Sequence, residues 1–164
     1  MGTSGTWPDL ERLVRLLRAA DSFTAALGAW TGAPVTVTAE EPAHEAPADP
    51  DGVRSLGVAP SAPVQHRRVR MRCGGRTIAS ATAQVAVHSS LISAPVRLAL
   101  RAPDSHLGEL LRPRRRVALR ITRLVPGPTG DPARPVLAVD ARLDVAGSPV
   151  ALLRENVHEA ALRP

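Results

Sequence analysis

The stretch Gln65-His66-Arg67-Arg68-Val69-Arg70-Met71-Arg72-Cys73 alternates with a period of two, and the alternation sets one arginine among apolar residues. Counting every second residue puts Arg67, Val69, Met71 and Cys73 on one face of a strand, with Arg68, Arg70 and Arg72 on the other. The second set reads as solvated; Arg67 points inward. Burying an unpaired guanidinium is costly, so Arg67 calls for a partner or a ligand. In Pro149 to His158, PVALLRENVH, the same count places Ala151, Leu153, Glu155 and Val157 on one face, which makes Glu155 an inward carboxylate. The two residues predict either a buried structural ion pair or a polar pair at the bottom of a small-molecule pocket.

Outward from that strand, Gly74-Gly75 is a two-residue hairpin turn, because glycine meets its positive-φ demands. The return strand, Arg76 to His88, carries Thr77, Ala79, Ala81, Ala83, Val85 and Val87 on one face. Ile78, Ser80, Thr82, Gln84 and Ala86 make up the other. Such small side chains leave room beside the sheet, filled by a helix or left as a cavity.

Upstream, residues 1–6 read as a disordered tail and residues 7–164 as one domain. Pro8, Asp9 and Glu11 suit a first helical turn, and Leu10, Leu13, Val14 and Leu17 recur at helical spacing to about Ala20. Asp21 or Ser22 caps a second helix with Phe23, Leu27 and Trp30 near one face, stopped by Thr31-Gly32. Val35 to Thr38 is a short strand. Residues 40–63 hold five prolines and no sustained period, and read as one long loop, a candidate lid.

Downstream, helices are predicted near Val96 to Leu100 and from Ser105 or His106 to Leu111. Arg116 to Val125 alternates with Val117, Leu119 and Ile121 inward, and Pro135 to Val145 with Leu137, Val139, Ala141, Leu143 and Val145 inward. Ala146 to Pro149 turns into the strand of Glu155. The sum is an α+β domain: one antiparallel sheet of about six strands with N-terminal and inserted helices packed on it.

Composition narrows the function. All 21 basic residues are arginine and the net charge is +6. Arg112-Pro113-Arg114-Arg115-Arg116 is the one basic cluster, but with no tyrosine and one phenylalanine the chain lacks stacking platforms for single-stranded nucleic acid. The cluster reads as a solvated basic edge. Cys73 stands alone, which excludes an intramolecular disulfide and suits a reduced compartment. No signal peptide or apolar run of membrane-spanning length is evident, so a cytoplasmic protein without membrane contact is expected. No glycine-rich phosphate loop or metal-spaced Cys/His set occurs, and His44, His66, His88, His106 and His158 are scattered. Neither a metal nor another cofactor is implied.

The order of pieces resembles the chorismate pyruvate-lyases, cofactor-free enzymes that convert chorismate into 4-hydroxybenzoate and pyruvate. Asp21-Ser22-Phe23-Thr24 looks like the family's Asp-Ser-Met-Thr, and His66-Arg67-Arg68-Val69 falls where the family has Leu-Arg-Glu-Ile. His106-Leu107-Gly108-Glu109 resembles its Pro-Leu-Gly helix start. The stretch from Ala141 to Pro149 resembles its Ser-Arg-Leu-x-x-x-Gly-x-Pro lead into the last strand. The resemblance implies Arg67 and Glu155 as catalytic residues, and Phe23, Thr82, Leu107 and Gly108 as contacts to a small carboxylate substrate. Thr82 stands where the family has an arginine, and a strict count from Gly147-x-Pro149 puts the family's glutamate at Arg154, so Glu155 requires a bulge. The first functional expectation is therefore a chorismate lyase-like carbon–oxygen lyase. The second is a repurposed pocket, such as a cyclase for a larger natural-product intermediate. The third is a non-catalytic ligand-binding domain, ranked last because such domains follow a DNA-binding module and only about six residues precede the first helix.

Overall fold

The computed structural model describes Trp7 and residues 9–163; the expected tail at 1–6 lies outside the described residues. Helices α1 (Leu10–Ala19) and α2 (Phe23–Thr31) come first. Strands β1 (Thr36–Ala39) and β2 (His44–Pro47) and helix α3 (Pro50–Leu56) come next. The hairpin of β3 (Pro63–Cys73) and β4 (Arg76–Val85) leads to the short helices α4 (Ala94–Ala99) and α5 (Leu107–Leu110). Strands β5 (Arg115–Arg123), β6 (Pro135–Val145) and β7 (Ser148–His158) complete the sheet before a 3-10 turn at Glu159–Leu162. The strand order is β1-β3-β4-β7-β6-β5, all pairs antiparallel, with β2 also on the outer edge of β3. This is the predicted α+β architecture with one more strand, β2.

Local chemistry explains the boundaries. Ser22 accepts a hydrogen bond from the Ala25 amide at 3.2 Å, and Gly32, at φ 70°, closes α2 by donating to the Gly28 carbonyl. Gly74 and Gly75 hold φ values of 55° and 79° in the β3–β4 turn, as two positive φ angles require. Helices α1 and α2 cover one face of the sheet, where Leu13, Leu17, Leu27, Ile78 and Val139 are fully buried.

Two expectations are corrected by the fold. Residues 40–63 are not one loop: they contain β2 and α3. Helix α3 packs through Leu56 beside Val64, Ala86 and Leu152 on the sheet face away from α1 and α2, so it is no lid for anything on the helical face. Nor is the alternation uniform, because the pairing slips at Ile78, Leu119, Val136 and Val150. Each extra residue is a β-bulge that re-aims the side chains beyond it. The bulge at Val150 buries both Val150 and Ala151, and sets Glu155 inward with 4% exposure. That at Leu119 leaves Leu119 46% exposed and turns Arg116, in place of Val117, to the helical face.

Candidate functional site

A cavity of about 410 Å³ lies between the sheet, the start of α2 and α5. Ala81 and Ala83 of β4 form its floor, with Arg67 on β3 at one side and Leu153 and Glu155 on β7 at the other. Of the two outcomes open for the space beside these alanines, a cavity is the one realised. Phe23, Val69, Met71 and Leu107 supply apolar wall. None of residues 40–63 borders it.

Arg67 and Glu155 do not pair with each other. They stand on strands separated by β4, a span of roughly 10 Å across the sheet. Arg67 donates through Nη1 to the Leu100 carbonyl at 2.7 Å and to Gln65 Oε1 at 3.3 Å. Through Nη2 it donates to the Ser105 carbonyl at 2.8 Å and to Ser105 Oγ at 2.9 Å. All these acceptors are neutral, and no carboxylate lies within ion-pair distance of Arg67 among the described residues. Burial alone lowers its pKa.

Glu155 takes its partner from the other side. Its Oε2 accepts from Arg116 Nη2 at 2.5 Å, and both side chains are almost wholly buried. Arg116 Nη1 donates to the carbonyls of Leu17 at 2.9 Å and Ala20 at 3.2 Å, so it also satisfies the C-terminus of α1. Its Cζ stands 6.0 Å from the Phe23 ring centroid, and its buried Nε has no acceptor. Burial pushes the Glu155 carboxyl above its ordinary range, against the attraction of Arg116. Arg114 is buried as well. It donates to the Gly108 carbonyl at 2.9 Å and to the carbonyl and Oδ1 of Asp21 at 2.9 and 3.1 Å.

The structure thus brings Phe23, Arg67, Leu107, Gly108 and Glu155 around one cavity. Thr82 borders it too, but Thr82 is exposed and in register with Arg68 and Arg154, so its side chain belongs to the opposite face. The basic cluster expected to be solvated is so only in part: Arg112 and Arg115 are exposed, but Arg114 and Arg116 are 4% and 2% exposed at the side chain and form part of the wall. Sequence reading missed both, since counting back from Ile121 across an unseen bulge put Arg116 outside. The signal present was the failure of Arg115 to Arg123 to keep a clean period of two. Among the described residues no group of three His, Cys, Asp or Glu side chains could hold a metal ion. No described helix is long and apolar enough to cross a membrane.

No protein-family model matches the chain, and no curated protein does. Solved structures do. The effector domain of PhnF from Mycobacterium smegmatis superposes with a TM-score of 0.63 at 16% identity, covering 85% of this chain and 90% of that one. The C-terminal domain of the histidine utilization repressor from Pseudomonas syringae gives 0.53 at 14% identity, covering 79% and 95%. A ligand-binding domain of a GntR-family transcriptional regulator from Bordetella bronchiseptica gives 0.55 at 12% identity, covering 76% and 84%.

The chain shares its fold with these effector and ligand-binding domains. This corrects the expected function. The eight similar structures described are of effector domains, regulators or domains of regulators, with no chorismate lyase among them, so the lyase and cyclase expectations are not carried forward.

Proposed function

We propose that this chain is a non-catalytic effector-type domain that binds a small organic anion in the cavity between the sheet and α2. The observation that carries the reading is Arg67: a buried cation on the cavity wall whose acceptors are all neutral. Arg114 has Asp21 and Arg116 has Glu155, so the charge still uncompensated is that of Arg67. A carboxylate, phosphate or sulfonate entering the cavity supplies the missing counter-charge where water is scarce and charge-assisted hydrogen bonds are strong. The first turn of α2, Phe23 to Ala25, borders the same space, and a helix N-terminus favours an anion.

The remaining lining sets the rest of the ligand. Phe23, Val69, Met71, Leu107 and Leu153 suit an apolar body, and a volume of about 410 Å³ falls in the range of metabolite sites. Glu155 spends Oε2 on Arg116, leaving Oε1 as an acceptor for a ligand hydroxyl or amine. No cofactor enters this reading.

The test is thermal unfolding with carboxylates, organic phosphates and sulfonates, with amines and neutral sugars as controls. Anions with an apolar body are expected to raise Tm by several degrees at a hundredfold excess over Kd. A rise with amines and none with anions would invert the proposed polarity of the site.

A further inference from the structure

Between Leu100 and Leu111 the chain behaves unlike the rest of the cavity wall. Those two residues are 0% and 5% exposed, whereas everything from Arg101 to Leu110 is half-buried or exposed. Neither α4 nor α5 contains a buried residue, and neither packs extensively on another element. Yet Ser105 to Glu109 close one side of the cavity. Apart from Leu107 and Leu110, which pack half-buried against the core that includes Leu100, Leu111 and Leu143, what holds this stretch in place is hydrogen bonding from two buried arginines to main-chain carbonyls. Arg67 takes Leu100 and Ser105; Arg114 takes Gly108 on α5 and Asp21 just before α2, joining the two sides of the mouth. Gly108 permits this, since a Cβ there would stand 3.2 Å from Arg114 Nη2.

We infer that residues 101–110 form a flap over the cavity, hinged at Leu100 and Leu111 and latched shut by Arg67 and Arg114. Segments with little apolar burial open at low free energy, and here two arginine side chains add to the limited apolar hold of Leu107 and Leu110. Resting on the ligand reading above, the assignment gives Arg67 two roles. The cation that answers a bound anion is also the latch at Ser105, so an anion that draws the guanidinium towards itself weakens the hold on the flap. Occupancy thereby becomes a change in one exposed segment, which displays Leu98 at 66% exposure beside it. The size of that change is bounded by how differently the anion interacts with the latched and unlatched forms.

The flap is tested on the full chain without ligand, by amide hydrogen exchange of wild type, Arg67→Met, Arg114→Gln and Gly108→Ala. Exchange over 101–110 is expected to rise about tenfold or more in each arginine variant, the scale of losing hydrogen bonds to a charged donor, while β4, β6 and β7 stay protected. Gly108→Ala disturbs the Arg114 latch without removing a charge, and the same local rise is expected if an arginine variant folds poorly. Exchange over 101–110 that does not change in any variant would overturn the latch assignment. So would a rise spread evenly over the sheet. Adding benzoate to the wild type is the separate arm for the ligand: absence of binding there counts against the anion reading and leaves the flap to be judged by the ligand-free exchange.

Discussion

Arg116 and Glu155 are each costly to bury and tolerable only together. The Glu155→Ala variant leaves Arg116 buried without its counter-ion, a loss expected at about 3–5 kcal/mol in urea unfolding. Replacing both, Arg116→Met with Glu155→Leu, removes the charges as a pair and is expected to recover most of that loss; a double variant no better than Glu155→Ala would show that the carbonyls of Leu17 and Ala20, not the ion pair, are what Arg116 chiefly serves. Of the cavity residues, Arg67 and Glu155 were legible because alternation reports the face of a strand residue. That Glu155 pairs with Arg116 was not. A single inserted residue at Leu119 reverses the count, and a bulge has no compositional mark.

Turns and caps set the stability of the elements. In the β6–β7 turn Ala146 holds φ 49°, a left-handed conformation that costs an alanine about 1–2 kcal/mol. Asparagine tolerates it better, so Ala146→Asn is expected to stabilise by about 0.5–1 kcal/mol in the same unfolding experiment. Glu159 ties the β5–β6 connection to the C-terminus: it accepts from the amides of Thr129 and Gly130, from Thr129 Oγ1 and from Arg163. These bonds hold its pKa at about 2 against an ordinary 4.5. A carboxyl depressed in the folded state contributes fully above its unfolded value and loses that contribution as pH falls through the folded one. The Tm gap between wild type and Glu159→Gln is therefore expected to narrow from about pH 4.5 to about pH 2; a gap independent of pH would contradict the assignment. At this scale the hairpins and the first two helices were readable from glycine and cap residues. Helix α3 was not, although Asp49 caps it, Pro50 opens it and Gly57 ends it. Seven residues are too few to show an apolar period, and the surrounding prolines spoke for a loop.

The whole molecule is a bulged antiparallel sheet with two helices on one face and a cavity over its small-residue strand. The antiparallel hairpins were recoverable from chain order, and the floor from the alanines of β4, but the pairing of β4 with β7 that joins the two halves of the sheet was not. Function was less so, because a cavity holding an arginine and a glutamate suits both chemistry and mere binding, and fold alone does not separate them. The proposed binding reading rests on geometry: Glu155 is clamped by Arg116, and among the described residues no carboxylate lies within ion-pair distance of Arg67, which bonds Ser105 instead. If that account is right, ligand charge must be read at Arg67. The decisive measurement is calorimetric titration of wild type and Arg67→Met with the anion giving the largest rise in Tm. The account predicts at least about thirtyfold weaker binding in a folded Arg67→Met, as expected on removing one partner of a buried charge pair. Equal affinity in the two proteins would contradict it.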